Sequence, residues 1–99
     1  MNISIFCNSG MSTSMMAKKL HEAYINVGCQ HNIKAYDFSS LQDIAPESDV
    51  IILGPQIAWA QEDVVRDYPD KYVIVLGIQE FGGMNGEALK IRIDSLINN

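Results

Sequence analysis

Four short apolar runs recur along the chain, and each is rich in β-branched or aromatic residues. They are Ile3 to Phe6, Ile33 to Phe38, Val50 to Leu53 and Tyr72 to Leu76. In the first, third and fourth runs the apolar positions are nearly contiguous, which is typical of strands buried on both faces of a sheet. The pattern predicts four β-strands, and we expect the first of them to be central.

Between these runs, apolar residues recur every three or four positions, which is the period of an amphipathic helix. The three stripes are Met16, Leu20, Ala23, Tyr24 and Val27; Ile57, Ala60, Val64, Val65 and Tyr68; and Leu89, Ile93, Leu96 and Ile97. Gly28 favours the end of the first helix, and Asn85 is suited to cap the start of the last. The stripes predict helices after the first, third and fourth strands.

Two connections have a weaker pattern. Residues 39–48 join the second and third strands, and they indicate a connection with one helical turn around Leu41 and Ile44. A loop containing Gly82 and Gly83 is predicted between the fourth strand and the last helix, because paired glycines are typical of turns.

The alternation of strands and helices predicts an α/β fold. We expect three layers, with an open four-stranded parallel sheet and helices on both faces. A chain of 99 residues suits one compact domain, so residues 1–99 are expected to form a single domain. Ligands of such sheets bind beyond the carboxyl ends of the strands, which directs the search for a site to the loops after Phe6, Leu53 and Leu76.

Composition narrows the classes of function. The net charge is −5 and the seven Lys and Arg residues are scattered, which argues against a nucleic-acid partner. There is no apolar run of membrane-spanning length and no signal-peptide pattern, so a cytosolic protein is expected. The two cysteines, Cys7 and Cys29, have neither disulfide-framework nor metal-ligand spacing, and we expect no metal site and no cofactor.

The loop after the first strand carries the strongest chemical signal. It combines a thiol, a glycine and several hydroxyl groups at the start of a helix, where unpaired backbone N–H groups and the helix dipole attract anions. We predict that Cys7 is the catalytic residue. The predicted phosphate-binding residues are Asn8, Ser9, Gly10, Met11, Ser12 and Thr13.

A cysteine at a helix N-terminus is favoured as a thiolate, which is the nucleophilic form. Attack of the Cys7 sulfur on a phosphoryl group would give a thiophosphate whose oxygens fit the ring of N–H donors. Two simpler interpretations stay open. Cys7 can be a small buried residue before a serine-rich helix start, or the loop can belong to a non-catalytic anion-binding module.

A cysteine before a phosphate-binding loop also occurs in low-molecular-weight tyrosine phosphatases, which have an arginine after five intervening residues. Thr13 stands at that arginine position here. Without a guanidinium to clamp the phosphate and stabilise the transition state, efficient ester hydrolysis is disfavoured. A phosphatase-like or arsenate-reductase-like hydrolase or reductase is therefore the alternative rather than the leading hypothesis.

Two segments resemble a known family. The stretch from Phe6 to Ser14 and the stretch from Leu53 to Ala58 are similar to the IIB subunits of the lactose and cellobiose family, which includes chitobiose relatives, of the bacterial phosphoenolpyruvate-dependent sugar phosphotransferase system. The resemblance extends over the whole length of the chain. Asn8 departs from the family, in which a small residue is more usual at that position.

The resemblance implies a phosphoryl carrier with a fold similar to that of low-molecular-weight tyrosine phosphatase. Cys7 would accept a phosphoryl group from a phosphohistidine of a IIA subunit. It would then donate the group to a sugar of the cellobiose, chitobiose or lactose type that is bound to the membrane IIC subunit. The carrier would be cytoplasmic and would dock at the inner face of the membrane through IIC.

Several other residues are expected to surround the reactive loop. Gln56 and the loop from Glu80 to Asn85 should flank Cys7 as candidate partner contacts, and Met11 is a candidate docking residue. Met15, Met16 and Trp59 are expected in the core, and Cys29 is expected to have no role in the chemistry.

Overall fold

A computed structural model describes the backbone of residues 1–8 and 10–98 and the side chains of residues 1–8 and 12–98. All four predicted strands are present. The strands are β1 (Asn2–Cys7), β2 (Asn32–Asp37), β3 (Val50–Leu53) and β4 (Tyr72–Val75), and the helices are α1 (Gly10–Asn26), α2 (Leu41–Ile44), α3 (Gln61–Asp67), α4 (Ile78–Gly83) and α5 (Gly86–Ile97). Short 3₁₀ turns flank α2 and precede α3.

The four strands form one parallel sheet in the order β2-β1-β3-β4. Strand β1 is therefore central, as predicted. The chain moves outward from β1 to β2 and then returns to the opposite side of β1 to form β3. This reversal creates a topological switch point between the carboxyl ends of β1 and β3, where open α/β sheets bind their ligands.

Helices cover both faces of the sheet, which confirms the predicted three-layer architecture. On one face Ile3, Ile5 and Cys7 of β1 pack with buried residues of α1, α4 and α5. On the other face Phe6 packs with the buried residues of β3, of α3 and of the turns before them. Because side chains alternate between the faces of a strand, the Cys7 side chain faces the layer that contains α1.

The segment after β4 differs from the sequence prediction. Residues 78–83 form helix α4, and Gly82 and Gly83 lie within it rather than in a loop. The backbone N–H of Gly77 donates to Glu80 Oε1 at 2.9 Å, and the side chain of Phe81 is buried against the sheet. This cap and this anchor outweigh the low helix propensity of the two glycines.

The start of α5 approaches α1 very closely. A Cβ atom added to Gly86 would lie 2.2 Å from the backbone oxygen of Lys19, so glycine is required at this contact. Asn85 caps α5 as predicted, because its Oδ1 accepts a hydrogen bond from the N–H of Ala88 at 3.0 Å. The close packing of α1 on α5 fixes the helix layer that covers Cys7.

A polar contact also joins α1 to α5. The Tyr24 hydroxyl donates to Asp94 Oδ1 at 2.9 Å, and Lys90 Nζ donates to Asp94 Oδ2 at 2.7 Å. Partial burial raises the pKa of Asp94, but the hydrogen bonds from Lys90 and Tyr24 outweigh it, so the net pKa is below the ordinary value. The ionised carboxylate therefore stabilises the folded state.

Replacing Asp94 by asparagine should lower the free energy of unfolding at pH 7 by about 1 kcal/mol, since the pair is partly exposed and screened. A carboxyl group with a lowered folded pKa contributes above its unfolded pKa of about 3.9, and the contribution disappears as the pH falls through the folded value. Denaturant unfolding at pH 7 and at pH 3 measures the effect. The difference from wild type should shrink at pH 3.

Asp63→Asn is the matched control, because Asp63 pairs with Arg66 on an exposed surface. Its effect at pH 7 should be below about 0.5 kcal/mol. Equal losses for the two variants would contradict a specific role for the contact between α1 and α5.

Candidate functional site

Cys7 is the last residue of the central strand, and its side chain is only 2% exposed. Helix α1 begins three residues later, so its first residue lies within about 11 Å of Cys7 along the chain. The first turn of α1 contains no acidic residue. A helix start favours negative charge, so the start of α1 suits an anion near the end of β1.

Two carboxamides approach the sulfur of Cys7. The thiol donates a hydrogen bond to Gln56 Oε1 at 3.1 Å, and Asn8 Oδ1 lies 3.9 Å from Sγ. Gln56 follows β3, so its contact with Cys7 spans the switch point between β1 and β3. The prediction that Gln56 flanks Cys7 is confirmed.

Gly54 makes room for this contact. A Cβ atom at Gly54 would lie 3.1 Å from both Cys7 Sγ and Gln56 Oε1, which is tighter than nearly all real contacts of this kind. The N–H of Gly54 also donates to the carbonyl oxygen of Phe6 at 2.9 Å, which joins the ends of β1 and β3. Sequence reasoning missed this role of Gly54, although the Gly-Pro pair after a buried strand was the available signal.

The predicted phosphate-binding residues are only partly described. Asn8 and Ser12 are exposed, while Thr13 is buried with 1% of its surface accessible. Ser9 lies outside the described residues, and for Gly10 and Met11 only the backbone is described. The prediction that these six residues bind phosphate therefore stays a prediction.

One carboxylate lies near the site. Asp37 ends β2 and pairs in register with Cys7. Its Oδ2 accepts hydrogen bonds from the hydroxyl of Ser39 at 2.6 Å and from the Ser39 N–H at 3.0 Å. The bond from the Ser39 hydroxyl has the larger effect and the bond from the N–H the smaller one. Together they hold the pKa of Asp37 below its usual range. The charge of Asp37 is thus satisfied by donors of the turn that follows β2.

The arginines of the chain are occupied elsewhere. The sequence contains only Arg66 and Arg92. Arg66 pairs with Asp63 and Asp67, and Arg92 binds Glu80 and the carbonyl oxygen of Val75. Neither guanidinium serves as the phosphate clamp of a tyrosine phosphatase, and Thr13 at the corresponding position is a buried hydroxyl residue. This arrangement disfavours the hydrolase alternative.

Large apolar side chains are exposed in segments that follow the strand ends. Trp59 is 72% exposed and forms a T-shaped pair with Phe38, and Ile78 is 81% exposed. Met15, in α1, is 54% exposed. The core prediction is confirmed for Met16 but is wrong for Met15 and Trp59, because their helical spacing does not reveal which flank of the stripe faces solvent.

The predicted flanking loop from Glu80 to Asn85 has a different position. Its end lines a groove with Lys19 and Glu22, so it lies along the middle of α1 instead of at the start of that helix. The exposed residues that follow β4 at the carboxyl edge, after the buried Leu76, are Gly77 and Ile78. Cys29 is exposed beyond the far end of α1.

This fold, with a thiol at the switch point, is that of a phosphotransferase-system IIB protein. The family model for the lactose/cellobiose-specific IIB subunit of this system matches residues 2–91, and the chain belongs to that family. It is therefore a sugar-specific phosphoryl carrier and a phosphotransferase component. IIB components work with IIA and IIC partners.

Individual relatives agree with this assignment. The chain is 27% identical to the cellobiose-specific EIIB component of Lactococcus lactis subsp. lactis (strain IL1403), over 97% of this chain and 95% of the relative. It is also 27% identical, with the same coverage, to the galactose-specific EIIB component of Lactococcus lactis subsp. cremoris (strain MG1363). Equal similarity to carriers named for different sugars leaves the sugar unassigned.

The fold is shared with solved structures of the family. The lactose-specific IIB domain of Streptococcus pneumoniae superposes with a TM-score of 0.85 at 15% identity, over 95% of each chain. None of the helices in the described part of the chain has both the length and the apolar character needed to cross a membrane.

Proposed function

We propose that Cys7 is the residue that carries the phosphoryl group, and that residues 1–99 act as one carrier domain. The observation that supports this most directly is the position of the thiol. It ends the central strand, beside the switch point and just before the start of α1. A helix start favours both the thiolate and the phosphoryl product, so one local environment suits both states of the reaction.

The first transfer takes the phosphoryl group from a phosphohistidine of a IIA partner. The Cys7 thiolate attacks phosphorus in line, the S–P bond forms, and the N–P bond breaks with its electron pair left on the imidazole. In the second transfer a sugar hydroxyl attacks the same phosphorus and loses its proton, and the thiolate leaves. Positioning and backbone N–H donors supply most of the catalysis, since phosphoryl transfer requires little other chemistry from the protein.

The residues from Asn8 to Thr13 would hold the phosphoryl oxygens between transfers. Backbone N–H groups at the start of α1 would supply the donors, and the hydroxyl of Ser12 would add to them. A carrier also has to resist hydrolysis. Occupation of both arginines in ion pairs elsewhere favours a long-lived phosphocysteine over rapid attack by water.

The partners would dock at the carboxyl edge of the sheet. Exposed Trp59 and Ile78 follow β3 and β4 at this edge, and exposed aromatic and aliphatic residues are typical of protein contact surfaces. A IIA subunit and the cytoplasmic face of a membrane IIC subunit would use the edge in turn. The sugar would be of the cellobiose, chitobiose or lactose type, and the carrier would act in the cytoplasm.

Reconstituted sugar phosphorylation tests this proposal. The assay contains phosphoenolpyruvate, the two general phosphotransferase proteins, a matching IIA subunit and membranes that carry the IIC subunit. Phosphorylation of a β-linked disaccharide should require addition of this chain. Transfer that proceeds equally well without the chain, in membranes free of other IIB proteins, would contradict the proposal.

Gly54→Ala should slow phosphoryl acceptance by about tenfold, because its Cβ would displace the sulfur or the Gln56 carboxamide by a few tenths of an ångström. The backbone of Gly54 has φ −66° and ψ 160°, which alanine adopts without strain. We therefore expect a loss of stability of only about 1 kcal/mol. The rate of phosphoryl acceptance and the denaturant midpoint separate the two effects.

Gly77→Ala is the matched control for this variant. Gly77 follows β4 with nearly the same backbone angles, φ −72° and ψ 162°, and its Cβ would meet Glu80 Oε1 at an ordinary 3.5 Å. Its rate should stay within about threefold of wild type. If both variants are slowed equally, the cause is a general disturbance of the carboxyl edge of the sheet and not the contact of Gly54 with the Cys7 sulfur.

A further inference from the structure

We infer that the side chain of Gln56 takes part in phosphoryl transfer as a reversible hydrogen-bond partner of the Cys7 sulfur. Its carboxamide accepts a hydrogen bond from the thiol in the resting carrier. After a half-turn of the amide it donates to the thiolate or to a phosphoryl oxygen. The inference rests on the proposed function of Cys7 and adds a second residue at the reacting site, from the turn after β3.

The contact is short and well supported. Gln56 Oε1 lies 3.1 Å from Cys7 Sγ, while the Gln56 side chain as a whole is exposed and the sulfur is buried. Gln56 therefore lies between the reacting atom and the solvent. A donor histidine has to approach from the solvent side, so the carboxamide lies at the entrance through which phosphorus reaches the sulfur.

The backbone around Gln56 is fixed on both sides. Pro55 restricts φ before it, and Ile57 after it is 2% exposed and packs in the core. The N–H of Ile57 donates to the carbonyl oxygen of Gly54 at 3.1 Å. Because its backbone is held in this way, Gln56 keeps its side chain within reach of the Cys7 sulfur. The backbone then loses little conformational entropy during the reaction.

A carboxamide suits both states of the cysteine. Its oxygen accepts from S–H, and a rotation of about 180° about the last side-chain bond presents N–H groups to the same point. A carboxylate at this position would accept from the thiol but would repel the thiolate and the phosphoryl group. A leucine of similar size would fill the space and make neither hydrogen bond.

The first test measures the ionisation of Cys7 directly. The rate of alkylation by iodoacetamide is followed against pH in a Cys29→Ser background, so that Cys7 is the only thiol. The variants are Gln56→Leu and Gln56→Glu. Gln79→Leu is the matched control, because Gln79 lies beyond β4, two strands from β1 and thus about 10 Å away across the sheet.

The hydrogen bond that the carboxamide N–H donates to a thiolate is stronger than the one that its oxygen accepts from a thiol. Loss of the carboxamide should therefore disfavour the thiolate. The midpoint of the pH profile should rise by about one unit in Gln56→Leu, which is a tenfold loss of thiolate at pH values below the wild-type midpoint. It should rise further in Gln56→Glu and stay unchanged in Gln79→Leu. An unchanged or lowered midpoint in Gln56→Leu, with the melting temperature retained, would overturn the inference.

The second test measures phosphoryl transfer from the phosphorylated IIA subunit. Gln56→Leu should lower the rate at saturating IIA about tenfold while the half-saturating IIA concentration changes less than twofold. If the half-saturating IIA concentration changes while the rate at saturating IIA does not, Gln56 is a docking residue only. That result would overturn its role at the sulfur.

The two tests separate this inference from the proposed function. If wild type accepts no phosphoryl group but Gln56→Leu shifts the alkylation profile, the carrier role of Cys7 fails and the hydrogen bond to the sulfur stands. If wild type is phosphorylated and Gln56→Leu matches it in both tests, the inference about Gln56 fails and the carrier role stands.

Discussion

Replacing Cys7 by serine is expected to lower phosphoryl transfer to sugar to below about a thousandth of the wild-type rate. A thiol at a helix start supplies a thiolate near neutral pH, whereas a hydroxyl is a weak nucleophile unless a general base takes its proton. The carboxamides of Gln56 and Asn8, which contact Cys7 Sγ, cannot act as such a base. The reconstituted assay measures the loss.

The variant should fold normally, because serine is smaller than cysteine and can donate to Gln56 Oε1 in the same way. Cys29→Ser is the control for the loss of a thiol. Cys29 is exposed beyond the end of α1, at the opposite end of the sheet from Cys7, and its replacement should leave the transfer rate within about twofold. Strong loss of activity in Cys29→Ser, or retained activity in Cys7→Ser, would contradict the assignment.

Replacing Gly86 by alanine should destabilise the protein more than any other single methyl group considered. The new Cβ would lie 2.2 Å from the backbone oxygen of Lys19 and 2.8 Å from the backbone nitrogen of Leu20. Backbone atoms cannot rotate away, so α5 has to move away from α1. We expect a loss of about 3 kcal/mol, which corresponds to a fall in melting temperature of about 12 °C or more for a domain of this size.

Gly82→Ala supplies the matched control within the same region. Gly82 lies in α4, and nothing lies within 4 Å of the position of an added Cβ. Alanine favours the helix over glycine by about 1 kcal/mol, so this variant should be as stable as wild type or slightly more stable. Thermal unfolding of the two variants is the measurement. Similar melting temperatures for Gly86→Ala and wild type would contradict the close contact of α1 with α5.

The strands and the position of Cys7 could be predicted from the sequence, because they depend on local patterns. The run from Val50 to Leu53 is wholly apolar, and the structure assigns it the same bounds. The cap that Asn85 forms on α5 could also be predicted, because it involves residues that are close in sequence. Strand–helix alternation was enough to predict a parallel sheet, and the end of β1 was enough to select the loop after Phe6.

Features that depend on distant residues could not be predicted in this way. The hydrogen bond between the hydroxyls of Ser4 and Ser48 is buried and joins residues far apart in sequence. Helix α4 forms despite two glycines, because Phe81 is buried against a sheet whose order the sequence pattern did not reveal. The exposure of Trp59 likewise depends on which side of its turn the sheet covers.

The role of Gln56 illustrates both cases. The sequence resemblance drew attention to the segment after β3, and sheet topology predicted that it would flank Cys7. Neither could indicate that the carboxamide oxygen would meet the sulfur itself, because that contact depends on the angle of the turn after Gly54. The space left by that glycine is visible only in three dimensions.

Intact-protein mass spectrometry shows directly whether Cys7 carries the phosphoryl group. Wild type, Cys7→Ser and Cys29→Ser are each incubated with phosphoenolpyruvate, the two general phosphotransferase proteins and the matching IIA subunit, and their masses are compared. We expect a single phosphoryl adduct on wild type and on Cys29→Ser, and none on Cys7→Ser. An adduct that persists on Cys7→Ser, or no adduct on wild type when the IIA subunit is itself phosphorylated, would contradict the role of Cys7 as the phosphoryl carrier.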